Sequence, residues 1–105
     1  MMAEEQQAVL DRLLSLVDRL YLESAGFLDK VEDQQLWYNR GYANGIIQQL
    51  NAMGYRDVVA DQVIADPVDI LQGHEWMPWG KAYRHGVEIG SRETAEVIAT
   101  RLDNE

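Results

Sequence analysis

Apolar residues recur at helical spacing through most of the chain. Over residues 4 to 23, Val9, Leu10, Leu13, Leu14, Leu16, Val17, Leu20 and Tyr21 form one broad stripe, with Asp11, Arg12, Ser15, Asp18 and Arg19 opposite it. A period near 3.6 residues predicts an amphipathic helix whose apolar face enters a core. The triplets Asp11-Arg12-Leu13 and Asp18-Arg19-Leu20 recur after seven residues. Two heptads fall short of the three or four that define a coiled coil, so packing inside a bundle is the expectation. Gly26 supplies a stop.

A second helix is predicted over 30 to 53. Asp29 or Asp33 can cap it, and Asp29 with Glu32 has the spacing of a capping box. Ala43, Ile46, Ile47, Leu50 and Met53 supply its core face, Trp37, Tyr38 and Tyr42 load its first half with aromatic bulk, and Gly54 follows as a C-terminal cap. Beyond Asp57 the β-branched Val58, Val59, Val63 and Ile64 are compatible with helix or strand. Helix is favoured because no other segment alternates as a partner strand would have to. Asp66-Pro67-Val68-Asp69 then carries a helix-start signature, an aspartate cap with proline in the first turn, and Gly73 ends that short helix. In the connector His74 to Gly80, Pro78 disfavours helix at Met77 and suits the first turn of a helix beginning beside it. This last helix is predicted over 79 to 102. Its stripe is Tyr83, Val87, Gly90, Thr94, Val97 and Ile98, and Arg84/Glu88, Glu88/Arg92 and Arg92/Glu96 set opposite charges four apart on the exposed side. Asp103-Asn104-Glu105 is expected to fray, as is the opposite terminus.

Glycines interrupt the second and last of these helices. Setting Leu36 to Ile46 over Met77 to Val87, an offset of 41 residues, matches Tyr38 with Trp79, Gly41 with Ala82, Tyr42 with Tyr83 and Gly45 with Gly86. A helix-interior glycine costs about 1 kcal/mol relative to alanine, so Gly41, Gly45, Gly86 and Gly90 together cost on the order of 4 kcal/mol of helix propensity. Their fourfold spacing, with Ala82, places small residues on single helical stripes. Close approach of two backbones is the expected compensation. Packing between the two helices of one chain is the first reading, and a homodimer formed through the same stripes is the second.

Composition narrows the class. A chain of 105 residues that is 47% apolar is long enough for one domain with its own core. With no cysteine, disulfides, thiolate metal sites and cysteine nucleophiles drop out. No apolar run approaches the length of a membrane span, and the acidic start lacks the basic region of a signal peptide, so a cytoplasmic location is expected. Eighteen acidic against nine basic residues give a formal charge of -9, which disfavours phosphate backbones and anionic lipid and points to a basic protein partner. The acidity gathers in the first helix, at Asp61 to Asp69 and from Glu93 onward, where solvated faces that keep a small protein soluble are the first reading and a surface that docks on a basic protein or mimics nucleic acid the second.

Candidate chemistry is sparse. His85-x-x-Glu88 would place an imidazole and a carboxylate on one helical face, but no second such pair completes a metal site, and His74-Glu75 adds no more. Ser15, Ser24 and Ser91 lack a nucleophile elbow, and no phosphate-cradling glycine pattern occurs. No catalytic residue, metal or cofactor is assigned. Trp76, Met77, Trp79, Tyr83, Trp37 and Tyr38 cluster around the starts of the two glycine-bearing helices, and Trp and Tyr are enriched in binding hot spots. They are also the usual large fillers where small residues let helices close up, so core packing is the first reading and a protein-binding surface the second, with the Trp76 to Trp79 connector the part most expected to be exposed.

The expectation is a single all-α domain over 1 to 105, a compact bundle of three main helices with one or two short helices between 57 and 73. The expected function is that of a non-enzymatic adaptor or inhibitor of a basic protein partner, with a nucleic-acid-binding partner, and a phage-type inhibitor or nucleic-acid mimic, as special cases. A self-associating structural subunit is the alternative, and an enzyme at His85 and Glu88 comes last.

Overall fold

The computed structural model describes residues 4–67 and 69–103. Among them are four α-helices: α1 (Glu4–Glu23), α2 (Gln34–Ala52), α3 (Arg56–Gln62) and α4 (Pro78–Asp103). Among the described residues there is no strand, and the fold is an all-helical bundle dominated by the packing of α2 against α4. Asp103 closes α4, and the rest of the expected fraying falls on residues outside the described part.

The stripe of α1 enters the core as its period requires. Leu10, Leu13, Leu14 and Val17 pack with Ala43, Ile46, Ile47 and Leu50 of α2, with Val59 of α3 and Val63 just after it, and with Ile98 of α4. Helix α1 runs antiparallel to α2. At one end the Gln6 side-chain amide donates to the Tyr55 hydroxyl beyond the C-terminus of α2, and at the other the Tyr21 hydroxyl donates to Asn44. A second apolar cluster joins Phe27, Trp37, Leu71 and Tyr83 beneath the turn from α1 to α2.

That turn corrects the start of the second helix from 30 to 34. Gly26 takes a left-handed φ of 80°, and Phe27–Asp29 then form one 3-10 turn with the Phe27 ring buried. Asp29 is part of this turn, so its capping box with Glu32 does not form. Asp33 is the cap, its carboxylate accepting from the Leu36 amide at 3.1 Å. At the other end Gly54, with φ of 96°, follows the helix as anticipated.

Helix α3 forms where helix was favoured over strand, but it stops at Gln62, and Val63 is extended at φ −134°, ψ 136°. The second short helix, from Asp66, is a correction. The segment holds isolated turns instead, Gln72 N–H donating to the Asp69 carbonyl and His74 N–H to Leu71, each at 3.0 Å. Its capping signature fails because the Asp66 carboxylate is drawn away to Arg40 and Asn44. Gln72, at φ 45°, and Gly73, at φ 86°, then turn the chain left-handed, away from helix.

Helices α2 and α4 run parallel, and residues 53–77 form the crossover that brings the chain back to the start of its neighbour. Direction and register follow from the glycine contacts. A Cβ on Gly41 would strike the Tyr83 carbonyl, one on Gly45 the Val87 carbonyl, one on Gly86 the Tyr38 carbonyl, and one on Gly90 the Tyr42 carbonyl. The Ser91 amide nitrogen would also lie 2.9 Å from a Gly45 Cβ, and the Tyr42 amide nitrogen 2.8 Å from a Gly86 Cβ. All these atoms are backbone and cannot rotate aside. Both stripes are therefore occupied against each other within one chain. The exchange pairs Gly41 with Gly86 and Gly45 with Gly90, a spacing of 45 residues, so the structural equivalence differs from the 41-residue sequence match. Ala82 sits at the edge of the aromatic cluster, half-buried. Carbonyl oxygens set against glycine Cα atoms form weak Cα–H···O contacts of about 0.5–1 kcal/mol each, which offset part of the lost helix propensity.

Candidate functional site

The aromatic residues nominated by the sequence divide between core and surface. Trp37 is 2% exposed. Its ring meets Phe27 edge-on at 4.8 Å and 77°, lies tilted on Trp79 at 4.4 Å, and faces the edge of Tyr83 at 6.2 Å. Its indole N–H donates to the Lys30 carbonyl at 3.1 Å, which is how so large a polar-edged side chain can be buried. Trp37 and Tyr83 thus fall on the core side of the two readings and leave the candidate binding surface, because the turn and α4 close over the start of α2 from both sides. Trp79 and Met77 are half-buried, and Tyr38 is half-buried beside the rings of Tyr42 and His85.

Trp76 remains on the surface, 69% exposed. Its platform is well braced. The His74 ring stacks on Trp79 at 5.6 Å and 28°, and its Nδ1 lies 3.0 Å from the Leu71 carbonyl. Gly80 lets the His74 carbonyl approach where any Cβ would collide with it. The left-handed Gln72-Gly73 turn precedes this platform and Pro78 follows it, opening α4.

Beside the aromatic cluster lies a polar group of residues that the sequence reading did not single out. Arg40 of α2 reaches Asp66 in the crossover through Nε at 2.7 Å and Nη2 at 3.1 Å, a two-pronged ion pair with side chains 13% and 14% exposed. Its Nη1 donates to the Tyr21 carbonyl at 3.0 Å and to Ser24 Oγ at 3.2 Å. The guanidinium carbon sits 3.7 Å from the centre of the Tyr21 ring and 4.7 Å from that of Phe27. Asn44 Nδ2 donates to Asp66 at 2.8 Å and to the Tyr83 hydroxyl at 2.7 Å, while the Asp66 amide donates to the Tyr21 hydroxyl at 3.1 Å.

Electrostatics follow from this geometry. Burial opposes ionisation of Asp66, but hydrogen bonds from Arg40 and Asn44 outweigh it and hold the carboxyl below its ordinary value. Burial pushes the Tyr21 phenol up to about 12 and raises that of Tyr83. Burial, then the contact with Glu93, raises Tyr42 on the opposite side of α2. Arg40 and Asp66 engage most of their hydrogen-bonding capacity with each other and with neighbouring protein groups, as a cross-brace does. One signal for it was present: Arg40 is the single charged side chain of α2.

Above this brace lies a groove of about 620 Å³ between the end of α1 and the 3-10 turn. Tyr21, Arg40 and Asp66 line it, together with Leu22, Ala25, Leu28, Asp18 and Asp29. Leu22 and Leu28 are 78% and 58% exposed. His85 and Glu88, the weak metal candidates, lie on the exposed face of α4 with Lys81 and Arg84. Among the described residues no three His, Cys, Asp or Glu side chains gather as a metal ion would require. No helix among them is long and apolar enough to cross a membrane. Comparison with protein-family models, with curated proteins and with solved structures gives no match.

Proposed function

We propose that the protein is a small, acidic, non-enzymatic binding module that docks on a basic protein partner and acts as an adaptor or inhibitor. The observation that carries this reading is the braced exposure of Trp76. An indole at 69% exposure is presented by a connector whose neighbouring residues are held by the His74–Trp79 stack. A constrained connector lowers the backbone ordering cost of binding, and tryptophan is among the residues most enriched in binding hot spots. The surplus of nine negative charges supports a basic partner, since charge complementarity speeds encounter and rejects acidic competitors. A partner that itself binds nucleic acid fits this chemistry, and a nucleic-acid mimic is the special case in which carboxylates track phosphate positions.

The test is recovery of the partner from host lysate by tagged protein. Trp76→Ala is expected to keep its helical content and melting temperature while losing a stoichiometric partner that wild type retains. Undiminished recovery by Trp76→Ala would sink the reading. Trp79→Ala is expected to behave differently and lose stability, because Trp79 packs against the buried Trp37.

A further inference from the structure

We propose that the groove between the C-terminal end of α1 and the 3-10 turn is a docking site for a basic amphipathic helix of a partner protein. This rests on the protein-binding reading but places a second contact away from Trp76.

Two properties coincide at the groove. Leu22 and Leu28, exposed by 78% and 58%, flank Ala25 at its mouth, and water gains by leaving such a cluster. Its charged lining consists of Asp18, Asp29, Asp66 and Arg40. Arg40 is neutralised by Asp66 through the two-pronged pair, which leaves Asp18 and Asp29 as carboxylates without a cationic neighbour in the lining. The last turn of α1 adds no base of its own. An occupant must therefore bring aliphatic side chains together with lysine or arginine. An anionic lipid surface or a nucleic acid would be repelled by the same carboxylates.

The backbone of the occupant follows from the fold. Among the described residues there is no strand, so an extended segment finds no sheet edge to join. An amphipathic helix sets aliphatic and basic side chains on one face at three- and four-residue spacing, which matches a groove lined by both leucines and carboxylates. Because Asp66, Tyr21 and Arg40 are bonded to one another, the floor is preformed, and contact with a partner does not require the brace to open.

The probe is a synthetic amidated peptide of leucine and lysine at helical amphipathic spacing, titrated into the isotope-labelled full chain and followed by amide NMR. One control peptide carries glutamate for lysine, and another carries serine for leucine. Saturable binding is expected, with shifts centred on Leu22, Ala25 and Leu28. Leu22→Ser with Leu28→Ser, and separately Asp18→Asn with Asp29→Asn, are each expected to weaken binding by about tenfold or more, with melting temperatures unchanged because these side chains are exposed. Both control peptides should bind more weakly by a similar factor. Binding of the serine peptide as tightly as the leucine peptide, or shifts indifferent to Leu22→Ser and Leu28→Ser, would overturn the proposal and leave only general attraction to an acidic surface. Trp76→Ala is expected to bind the peptide as wild type does, so failure at the groove and failure at Trp76 remain distinguishable.

Discussion

Arg40 links three parts of the chain: α2 from which it comes, the end of α1 through Tyr21 and Ser24, and the crossover through Asp66. Removing one member of such a pair leaves the other charge poorly solvated. Arg40→Met and Asp66→Ala are each expected to destabilise the fold by about 3 kcal/mol, measured by chemical denaturation. The carboxyl of Asp66 is held lower in the folded protein than in the unfolded chain. Its stabilising contribution is therefore fully present above the unfolded pKa of about 3.9 and lost as pH falls through the folded value. Wild type should lose stability relative to Asp66→Asn across that acidic window. Parallel pH profiles would contradict the assignment. At high pH the sign reverses: the Tyr21 phenol, raised to about 12, favours the folded state below the unfolded value near 10 and ceases to do so as pH passes the folded one.

At the scale of elements, the glycines of α2 and α4 give the sharpest contrast. Alanine at a helix-interior glycine normally gains about 1 kcal/mol. Gly41→Ala or Gly86→Ala should instead cost about 2 kcal/mol or more, because each new methyl meets a backbone carbonyl that only separation of the helices can relieve. A rise in melting temperature for either variant would refute the close contact. Much of this level was legible in the sequence. The stripe of α1, the favoured helix at α3, the glycine cap after α2 and the proline start of α4 all follow from local chemistry. What failed was decided over long range. The Asp66-Pro67 signature reads as a helix cap until Arg40, 26 residues earlier, takes up the carboxylate. The match at 41 residues aligned similar side chains, whereas contact between the helices depends on which face each presents, and that phase gives Gly41–Gly86 and Gly45–Gly90. Among the aromatic candidates, Trp37 and Tyr83 look in sequence like Trp76. Only the turn at Phe27 and the return of α4 determine which of them is covered.

For the whole molecule, charge governs encounter more than fold. On the proposed binding role, raising salt is expected to slow association with the basic partner while leaving dissociation from the proposed Trp76 contact less affected, a difference that surface-binding kinetics can read. The parallel arrangement of α2 and α4 has a different consequence, in time. Neighbouring antiparallel helices can dock as soon as their short loop forms, but this pair cannot meet until the chain has traversed residues 53–77 and closed that long loop. This close backbone contact should then be among the last made during folding. If so, Gly45→Ala will hasten unfolding and scarcely slow refolding, and the loss of stability will register in how long the native molecule survives and hardly in how fast it forms.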